Sequence, residues 1–411
     1  MKKKLLIVAG AGASVEFGLP SVADIDGLLS EAADKRWTLA SNPDQNLYVW
    51  IRNLINAYYR SGPNPRLIRK TNFEEILFQL HTLDAHLDDY YHITCSNALL
   101  TTVPIPNILD RDSKSQRVES GMLTGLAKHL ANTIIDECIT RSEQASTKKQ
   151  TAIAELGHFL SALSNEFEIG IVTLNYDNIV SQSYPNLFTG FNDRGIFEPE
   201  TVFDREAWGF IYHLHGSIHF STQYSDQDSL SISWQEMPLP SKHGRTSGGR
   251  RQDFIEGLEQ LNSVIVAGYG KTQQILRQPF RTYFAQTQRL IHIADSILFM
   301  GYGFGDVHLN ELFSDVRSRR RPCVVIDWAK DDTFCFQRRM DDWTSSVSRT
   351  LFPSDQHPSF SSESSPSKLV GEYKSARELE TCLDSELPLA IWYDGLLSAC
   401  QEPDKIMAHL R

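Results

Sequence analysis

The sequence has few cysteines and no close cysteine pair. Its 6 cysteines are scattered along 411 residues, and no two of them are separated by only two positions. This spacing argues against a disulfide framework and a zinc ribbon, because both need clustered cysteines. The sequence also lacks a run of 18 apolar residues, and only Leu5–Ala9 separates Lys4 from the first glycine. We therefore expect a cytoplasmic protein with neither a membrane span nor a signal peptide.

An excess of positive charge is also missing. The formal net charge is -11 at pH 7, which argues against broad nucleic-acid binding. Two basic patches, Arg317–Arg321 and Lys242–Arg251, are not interleaved with aromatic residues. We interpret both as solvated surface rather than as a binding groove. With 41% hydrophobic and 22% charged residues, the chain is long enough for two or three domains.

The first candidate strand ends in a glycine turn. Leu5–Ala9 is a short apolar run typical of a strand buried on both faces, and the small residues Gly10–Ser14 follow it. Such a turn lets the backbone approach a nucleotide phosphate. Val15 stands where the dinucleotide fingerprint has its third glycine, which weakens an ordinary dehydrogenase interpretation. A tight turn without a ligand is the alternative.

A long helical stretch comes next. Residues 22–170 show no convincing strand, and amphipathic spacing predicts helices from Phe73, Met122 and Ile153 onward. We expect a helical insertion over about residues 26–165. On the first helix four polar residues share a face that could hold a metal, although an exposed polar face has the same spacing: His81, Asp84, Asp88 and His92.

Polar residues follow the next apolar strand, predicted at residues 169–174. Asn175 and Asp177 come directly after it, at the end where open α/β sheets bind ligands. They could bind a ligand there, or they could cap the following helix, Ile179–Ser183.

Histidines mark a third candidate strand, Gly209–Ser217. Alternation places His213, His215 and Ser217 on one face, and a histidine at a strand end can accept a proton near neutral pH. A metal site that includes His219 is the alternative, although three histidines so spaced need further ligands for one tetrahedral ion.

Strands and helices then alternate to residue 327. After a polar loop at 221–251, we predict strands at 263–268, 296–300 and 322–327, a polar loop at 270–272 and a helix from Pro279. Gly301–Asp306 is a second glycine turn before a helix, with Asp306 as its cap. Asp327 ends its strand and could bond ribose hydroxyls, or could be plain surface. Residues 344–368 indicate a Ser/Pro-rich linker, and 369–411 a segment for packing or oligomerisation.

Four of these segments together resemble the sirtuin family, over about residues 5–330. The first glycine turn with Gly18–Pro20, the segment Thr173–Asp177, the motif His215–Ser217 and the second glycine turn are each similar to a sirtuin element. The resemblance implies a Rossmann-like parallel α/β sheet with a helical insertion, a catalytic domain at residues 1–343 and a short C-terminal tail.

The resemblance also implies roles for the matching residues. Asn175 and His215 would support catalysis, and Asp177 would hold the nicotinamide carboxamide. The predicted NAD+ contacts lie in the two glycine turns, in the Gly-Leu-Pro motif and at the acid that ends the strand 322–327. They are Gly10, Ala11, Gly12, Ser14, Pro20, Gly301, Tyr302, Gly303, Phe304 and Asp327.

The sequence departs from deacylating sirtuins at three places. Sirtuins carry two close cysteine pairs for structural zinc, but no cysteine lies between Cys138 and Cys323. Leu174 replaces the usual glutamine, and Ser21–Ala23 replaces the usual element after the Gly-Leu-Pro motif. These differences resemble the zinc-free, helix-inserted branch of sirtuin-like NAD+ hydrolases in bacterial antiphage defence. We therefore expect NAD+ as substrate and no zinc.

The function implied is hydrolysis of the nicotinamide–ribose bond, which would deplete NAD+ in antiphage defence. A homo-oligomer is expected, and a HerA-type ATPase partner, because no sensor domain is evident after the core. Nucleic acid would be contacted only through such a complex. The alternatives are an NAD-dependent protein deacylase and a non-catalytic nucleotide-binding or nuclease subunit of a DNA-targeting complex.

Overall fold

The computed structural model divides the chain into two units. One comprises Met1–Leu19, Arg141–Ser217 and Pro279–Arg411, and the other comprises Pro20–Thr140 and Ile218–Gln278. The residues that the structure describes are 2–34, 36–61, 70–87, 104–119, 121–224, 230–238, 246–247, 254–255, 258–259, 262–268, 271–329, 335–338, 341–353, 356, 358–360 and 365–411.

A seven-stranded sheet forms the centre of the first unit. Its strands, in chain order, are β1 (Lys3–Ala9), β4 (Phe167–Thr173), β5 (Ile211–His213), β12 (Ser296–Met300), β13 (Cys323–Ile326), β14 (Glu380–Thr381) and β15 (Leu389–Trp392). The spatial order is β14-β15-β13-β12-β1-β4-β5, and only the β14 pairing is antiparallel. The predicted α/β class with a Rossmann-like parallel sheet is confirmed.

The sheet is buried on both faces, as its continuous apolar runs predict. Residues Leu5–Ala9 of β1 are fully buried, and β1 pairs with β4 on one side and β12 on the other. The described helices of this unit are α1 (Gly12–Val15), α6 (Gln150–Glu166), α7 (Ile179–Ser183), α8 (Pro199–Phe203), α10 (Phe280–Ile293), α11 (Val307–Ser314), α12 (Asp342–Leu351), α13 (Pro366–Ala376), α14 (Gly395–Cys400) and α15 (Pro403–Leu410), together with the end of α5 (Met122–Lys148).

Helix α6 lies in the sheet unit rather than in the insertion, which we expected to reach residue 165. Its apolar residues Leu156, Phe159 and Leu160 join the core cluster of β1 and β4. The structure instead groups residues 20–140 with 218–278. Burial against the sheet, which sequence periodicity does not reveal, accounts for this difference.

The C-terminal segment completes the sheet. Strand β15 pairs with β13 through Ile326 and Trp392, and Leu389–Trp392 is buried throughout. Helices α12 and α13 occupy much of the stretch 344–368 that we had interpreted as a linker. The packing expected for residues 369–411 therefore includes strands of the main sheet and not only terminal helices.

The second unit is mainly helical. It contains α2 (Val22–Ala33), α3 (Leu47–Ser61), α4 (Phe73–Leu87), α9 (Lys271–Gln274) and the first part of α5 (Met122–Lys148). Its short strands are β2 (Ile108–Leu109), β3 (Ser115–Gln116), β6 (Phe220–Tyr224), β7 (Leu230–Trp234), β8 (Thr246–Ser247), β9 (Phe254–Ile255), β10 (Leu258–Glu259) and β11 (Asn262–Ser263). None of the helices in the described ranges combines the length and apolar character that crossing a membrane requires.

Three sequence expectations in this unit are corrected. The stretch 264–267 is buried but does not form a continuous strand, and the side-chain amide of Gln274 bonds both backbone groups of Ala267, at 3.2 and 2.8 Å. Lys271 begins a helix and forms an ion pair with Glu74 at 2.8 Å, so it is not in a loop. The start of the predicted loop 221–251 is the antiparallel hairpin β6–β7, while most of the basic patch Lys242–Arg251 lies outside the described residues.

The metal alternative on α4 is only partly within the described residues. Asp84 is buried and accepts hydrogen bonds from the amides of Gly121 and Thr124, at 2.9 and 3.2 Å, and from the Thr124 hydroxyl. This carboxylate therefore anchors the start of α5. Asp88 and His92 lie outside the described residues.

Candidate functional site

The candidate site lies along the carboxyl ends of four neighbouring parallel strands. The loops that follow β12, β1, β4 and β5 stand side by side there, since parallel strands end at the same edge. The amide of Leu174 donates to the carbonyl of Ala9 at 3.0 Å, and the amide of Leu214 donates to that of Thr173 at 2.9 Å. The predicted site residues after β1, β4 and β5 are therefore tied together by backbone hydrogen bonds.

The two glycine turns pack directly against each other. The amide of Gly10 donates to the Met300 carbonyl at 3.0 Å, and the amide of Gly12 donates to the Gly301 carbonyl at 3.0 Å. A Cβ on Gly10 or Gly12 would lie 2.7 or 2.9 Å from Gly301 backbone atoms. Only glycine at both positions allows the two loops to make this contact, whether or not a ligand also approaches the turn. Ala11 and Gly12 remain exposed to solvent.

Asn175 joins the first turn to β4. Its Nδ2 donates to the carbonyl of Gly10 at 2.8 Å and to the hydroxyl of Ser14 at 2.9 Å, and the residue is only 8% exposed. These two bonds fix the orientation of the amide and direct its Oδ1 away from them. An amide so held can accept a hydrogen bond from a water or a sugar hydroxyl in a defined place.

Asp177 is buried next to the same hydroxyl. Its Oδ1 accepts from the amide of Ile179 at 3.0 Å, and its carboxylate also hydrogen-bonds Ser14. Burial raises the pKa of Asp177, and the bonds from Ile179 and Ser14 oppose this shift. The residue therefore bonds the first turn of α7, as the capping alternative expected, while it also belongs to the polar cluster.

His215 is held by an acid that we had predicted only as a helix cap. Its Nε2 lies 3.1 Å from Asp306 Oδ2, and both side chains are almost fully buried. Asp306 does cap α11, because its Oδ1 accepts from the amide of Leu309 at 2.9 Å. One carboxylate thus serves two partners, and the helix fixes its position relative to the imidazole.

The predicted strand at Gly209–Ser217 is shorter than expected. Strand β5 ends at His213, and Gly216 has a φ of 103°, so His215 stands in a turn rather than on the strand face. His219 belongs to the other unit, where its ring stacks on Trp234 at 4.6 Å. Among the residues that the structure describes, no cluster of three or more His, Cys, Asp or Glu could hold a metal ion.

The second glycine turn places its aromatic side chains in the core. Tyr302 and Phe304 are 3% and 1% exposed, and the Tyr302 hydroxyl donates to Asn310 Oδ1 at 2.6 Å. Gly303 and Gly305 are exposed, and a Cβ on either would meet no atom within 4 Å. Open space therefore lies in front of the glycines, and Tyr302 and Phe304 can offer a ligand mainly their backbone.

Asp327 is half-buried at the end of β13, beside residues that sequence analysis did not single out. Its amide donates to the Trp392 carbonyl at 2.8 Å, and its carbonyl accepts from the amide of Gly395 at 3.1 Å. Glu16 accepts from the amides of Leu396 and Leu397, at 2.6 and 3.1 Å, so the first turn contacts α14 as well. Pro20 begins the other unit.

Part of the chain matches one family model. Residues 170–342, less than half of the chain, match the family model described as a SIR2-like domain. No curated protein matches.

Solved structures of Sir2 homologues are similar to this chain. A Sir2 homologue in complex with NAD has 11% identity and a TM-score of 0.37, with 79% of this chain and 78% of that chain covered. A Sir2 homologue mutant in complex with 2′-O-acetyl ADP-ribose has 13% identity and a TM-score of 0.34, with 86% and 96% covered. A structure described as the basis for the mechanism and regulation of Sir2 enzymes has 12% identity and a TM-score of 0.32, with 85% and 91% covered.

Proposed function

We propose that this chain is an NAD+ hydrolase that cleaves the nicotinamide–ribose bond and releases nicotinamide and ADP-ribose. The observation that supports it most is the buried cluster in which Ser14 joins Asn175 to Asp177 beside the loop of His215. Asn175, Asp177 and His215 lie at the carboxyl edge of the parallel sheet, within the residues that match the SIR2-like domain model. An amide, a carboxylate and an imidazole are the side-chain types that this reaction needs.

Each of the three residues has a task in the proposed reaction. Cleavage of the bond develops positive charge on the ribose, so the site must hold the sugar, grip the leaving carboxamide and place a water molecule. Asp177 would bind the carboxamide, and Asn175 Oδ1 would position the water or a ribose hydroxyl. Water attacks C1′ and loses a proton, and nicotinamide leaves with the electron pair of the broken bond.

His215 would accept a proton through the ribose hydroxyls. In the tautomer that carries its proton on Nε2, the atom 3.1 Å from Asp306 Oδ2, the neutral ring has its lone pair on Nδ1. Asp306 would therefore act as a positioning residue that selects this tautomer and stabilises the imidazolium formed after proton transfer.

The expected contacts of the two glycine turns with NAD+ belong to the same proposal. Gly10, Gly12, Gly301 and Gly303 would offer backbone groups to the phosphates and riboses. The half-buried Asp327 would accept from ribose hydroxyls of the adenosine. No structural zinc is proposed.

The physiological role that we propose follows from the sequence resemblance alone. The hydrolase would deplete NAD+ in antiphage defence, in the cytoplasm, as a homo-oligomer paired with a HerA-type ATPase. Any nucleic acid would be contacted through that complex.

Nicotinamide release by the purified protein, alone and with a candidate ATPase, tests the activity. We expect Asn175→Ala and His215→Ala to lower NAD+ turnover by about 10²-fold or more, the size associated with loss of an acid–base or positioning group. Asn53→Ala and His158→Ala, at exposed positions, are the matched controls and should retain turnover.

Product analysis separates the rival functions. With an acetylated peptide present, O-acetyl-ADP-ribose would identify a deacylase, whereas free ADP-ribose supports the hydrolase. If NAD+ binds and is never cleaved under any of these conditions, the chain is a nucleotide-binding subunit and the proposal fails.

A further inference from the structure

A second cleft lies at the amino ends of β12, β13 and β15. It includes Ile297, Cys323 and Leu389, which are register partners across these three strands. These residues are at or next to the amino ends of their strands, whereas Gly301 and Asp327 follow the carboxyl ends. At roughly 3.3 Å per residue, four residues of β12 separate the two edges by about 13 Å.

Positive charge dominates this cleft. Four arginines, Arg317, Arg319, Arg320 and Arg321, line it together with one acid, Glu386. Burial raises the pKa of the Cys323 thiol to about 11, so the thiol adds no negative charge near neutral pH. The cleft is therefore locally cationic in a chain whose formal net charge is -11.

The four arginines are not equivalent. Arg321 is buried and donates to the carbonyls of Ile291 and Ala294, so it supports the cleft wall. Arg320 forms an ion pair with Glu386. Arg317 donates through Nη1 to the carbonyl of Arg349 at 3.0 Å, which leaves its other guanidinium nitrogens for a ligand.

Arg319 is the most available cation of the set. It is exposed, and the ion pairs found among the described residues do not include it. A guanidinium presents a planar fork of donors that matches phosphate oxygens, and two such groups lining one cleft can share a phosphate. Arg317 and Arg319 are therefore the residues that would contact an anion.

The rest of the lining is apolar. Ile297, Val316, Leu351 and Leu387 form wall and floor, with the side chain of the buried Thr350 among them. The enclosed part of the cleft is small, about 40 Å³, and the rest is open to solvent. An anionic head with an apolar or planar body fits this combination of charge and surface.

Two features favour a small ligand over a nucleic-acid strand. The aromatic residues of the lining, Phe313 and Phe352, are 2% and 3% exposed, so they offer no stacking platform to successive bases. The net charge of -11 also repels a long polyanion more than a single phosphate.

We propose that the arginine cleft binds a phosphate monoester, at a site separate from the candidate NAD+ site. The phosphate is held by Arg317 and Arg319, and the body of the ligand rests on the apolar wall. This inference stands whether or not the chain hydrolyses NAD+.

Calorimetric titration of the full chain with AMP tests the proposal. We expect saturable binding, weakened at least about tenfold in Arg317→Ala/Arg319→Ala because two charge-assisted contacts are removed. Adenosine, which lacks the phosphate, should bind at least about tenfold more weakly than AMP. Arg281→Ala, at an exposed position on α10, is the matched control and should bind AMP like the wild type.

Three outcomes would overturn the proposal. They are absence of AMP binding, AMP binding that the double variant leaves unchanged, and arginine-dependent binding of a 12-nucleotide single strand in the absence of AMP binding. The second would place AMP elsewhere on the chain, and the third would make the cleft a nucleic-acid surface. Circular dichroism of the double variant verifies that lost binding is not lost folding.

Discussion

The two ends of the central strands differ in how their polar groups are held. At the carboxyl edge, Asn175, Asp177, His215 and Asp306 are nearly buried, and each is fixed by at least one hydrogen bond or ion pair. At the amino edge, Arg319 and Arg320 are exposed. Fixed, desolvated groups suit a reaction in which charge develops at a defined atom, whereas exposed arginines suit the capture of an anion. We therefore propose two sites of different character on one sheet.

The largest effect on stability is expected at the contact between the two glycine turns. Gly301 has a φ of 58°, and a Cβ there would collide with the backbone of Gly12 and Ala13. We expect Gly301→Ala to lower the free energy of unfolding by about 2–4 kcal/mol, from backbone strain and steric overlap together. Urea denaturation measures this.

The matched control for that substitution is in the same turn. A Cβ at Gly303 meets no atom within 4 Å, so Gly303→Ala should change stability by no more than about 0.5 kcal/mol. Equal effects of the two substitutions would show that the turns do not pack as described.

The next effect is on turnover at the His215–Asp306 pair. Asp306→Asn keeps an Oδ1 to accept from Leu309 but replaces the carboxylate oxygen that faces His215 Nε2. We expect kcat for NAD+ to fall about ten- to hundredfold with a much smaller change in KM, because in the proposed site Asp306 acts through His215 and not on the substrate. A structural role alone would instead lower thermal stability and leave kcat per folded molecule unchanged.

A smaller, pH-dependent effect is expected at Asp177. Burial raises its pKa in the folded chain, so the folded state binds this proton more readily than the unfolded state does. Ionisation then opposes folding as pH rises above the unfolded-state pKa, near about 3.9. Asp177→Asn should therefore be more stable than wild type at pH 7, by about 1.4 kcal/mol for each unit of the shift, although it should turn over NAD+ more slowly.

That gain should shrink to a small remainder at about pH 4, where the carboxyl group is protonated in the folded state and about half protonated in the unfolded state. Thermal unfolding of the two proteins from pH 4 to pH 8 measures it, with Asp193→Asn at an exposed position as control. A gain that is equal at every pH would contradict burial as the cause.

The smallest effect is expected at the amino edge. Arg319→Ala should leave unfolding free energy within about 0.5 kcal/mol of wild type, as for most exposed substitutions. It should also leave NAD+ turnover within about twofold, because the side chain lies at the other end of the strands. A large loss of turnover in this variant would show that the two edges do not act separately.

The sequence predicted the carboxyl-edge cluster because the rule for parallel sheets is local to each strand end. Apolar runs followed by glycine or by Asn175 and Asp177 are visible without knowing which strands are neighbours. The pairing of Asp306 with His215 could not be predicted in the same way. The two residues are far apart in sequence, and the capping role of Asp306 already explained its presence.

The last strand shows a different limit. Leu387, Leu389 and Ile391 alternate, which is the period of a strand, yet we interpreted this part of the chain only as a segment for packing or oligomerisation. The prediction of a strand over 264–267 failed in the opposite sense, because this apolar run is buried without forming a continuous strand, and Gln274 bonds the backbone of Ala267. Both outcomes depend on contacts distant in sequence.

Cleavage of NAD+ in water enriched in oxygen-18, followed by mass spectrometry of the ADP-ribose, tests the central claim most directly. The account predicts one labelled oxygen on the ribose of each ADP-ribose released by the wild type, and a strongly reduced yield of labelled product from His215→Ala. Intact NAD+ after prolonged incubation with the protein and its candidate partner, or ADP-ribose transferred to another acceptor without label, would contradict it.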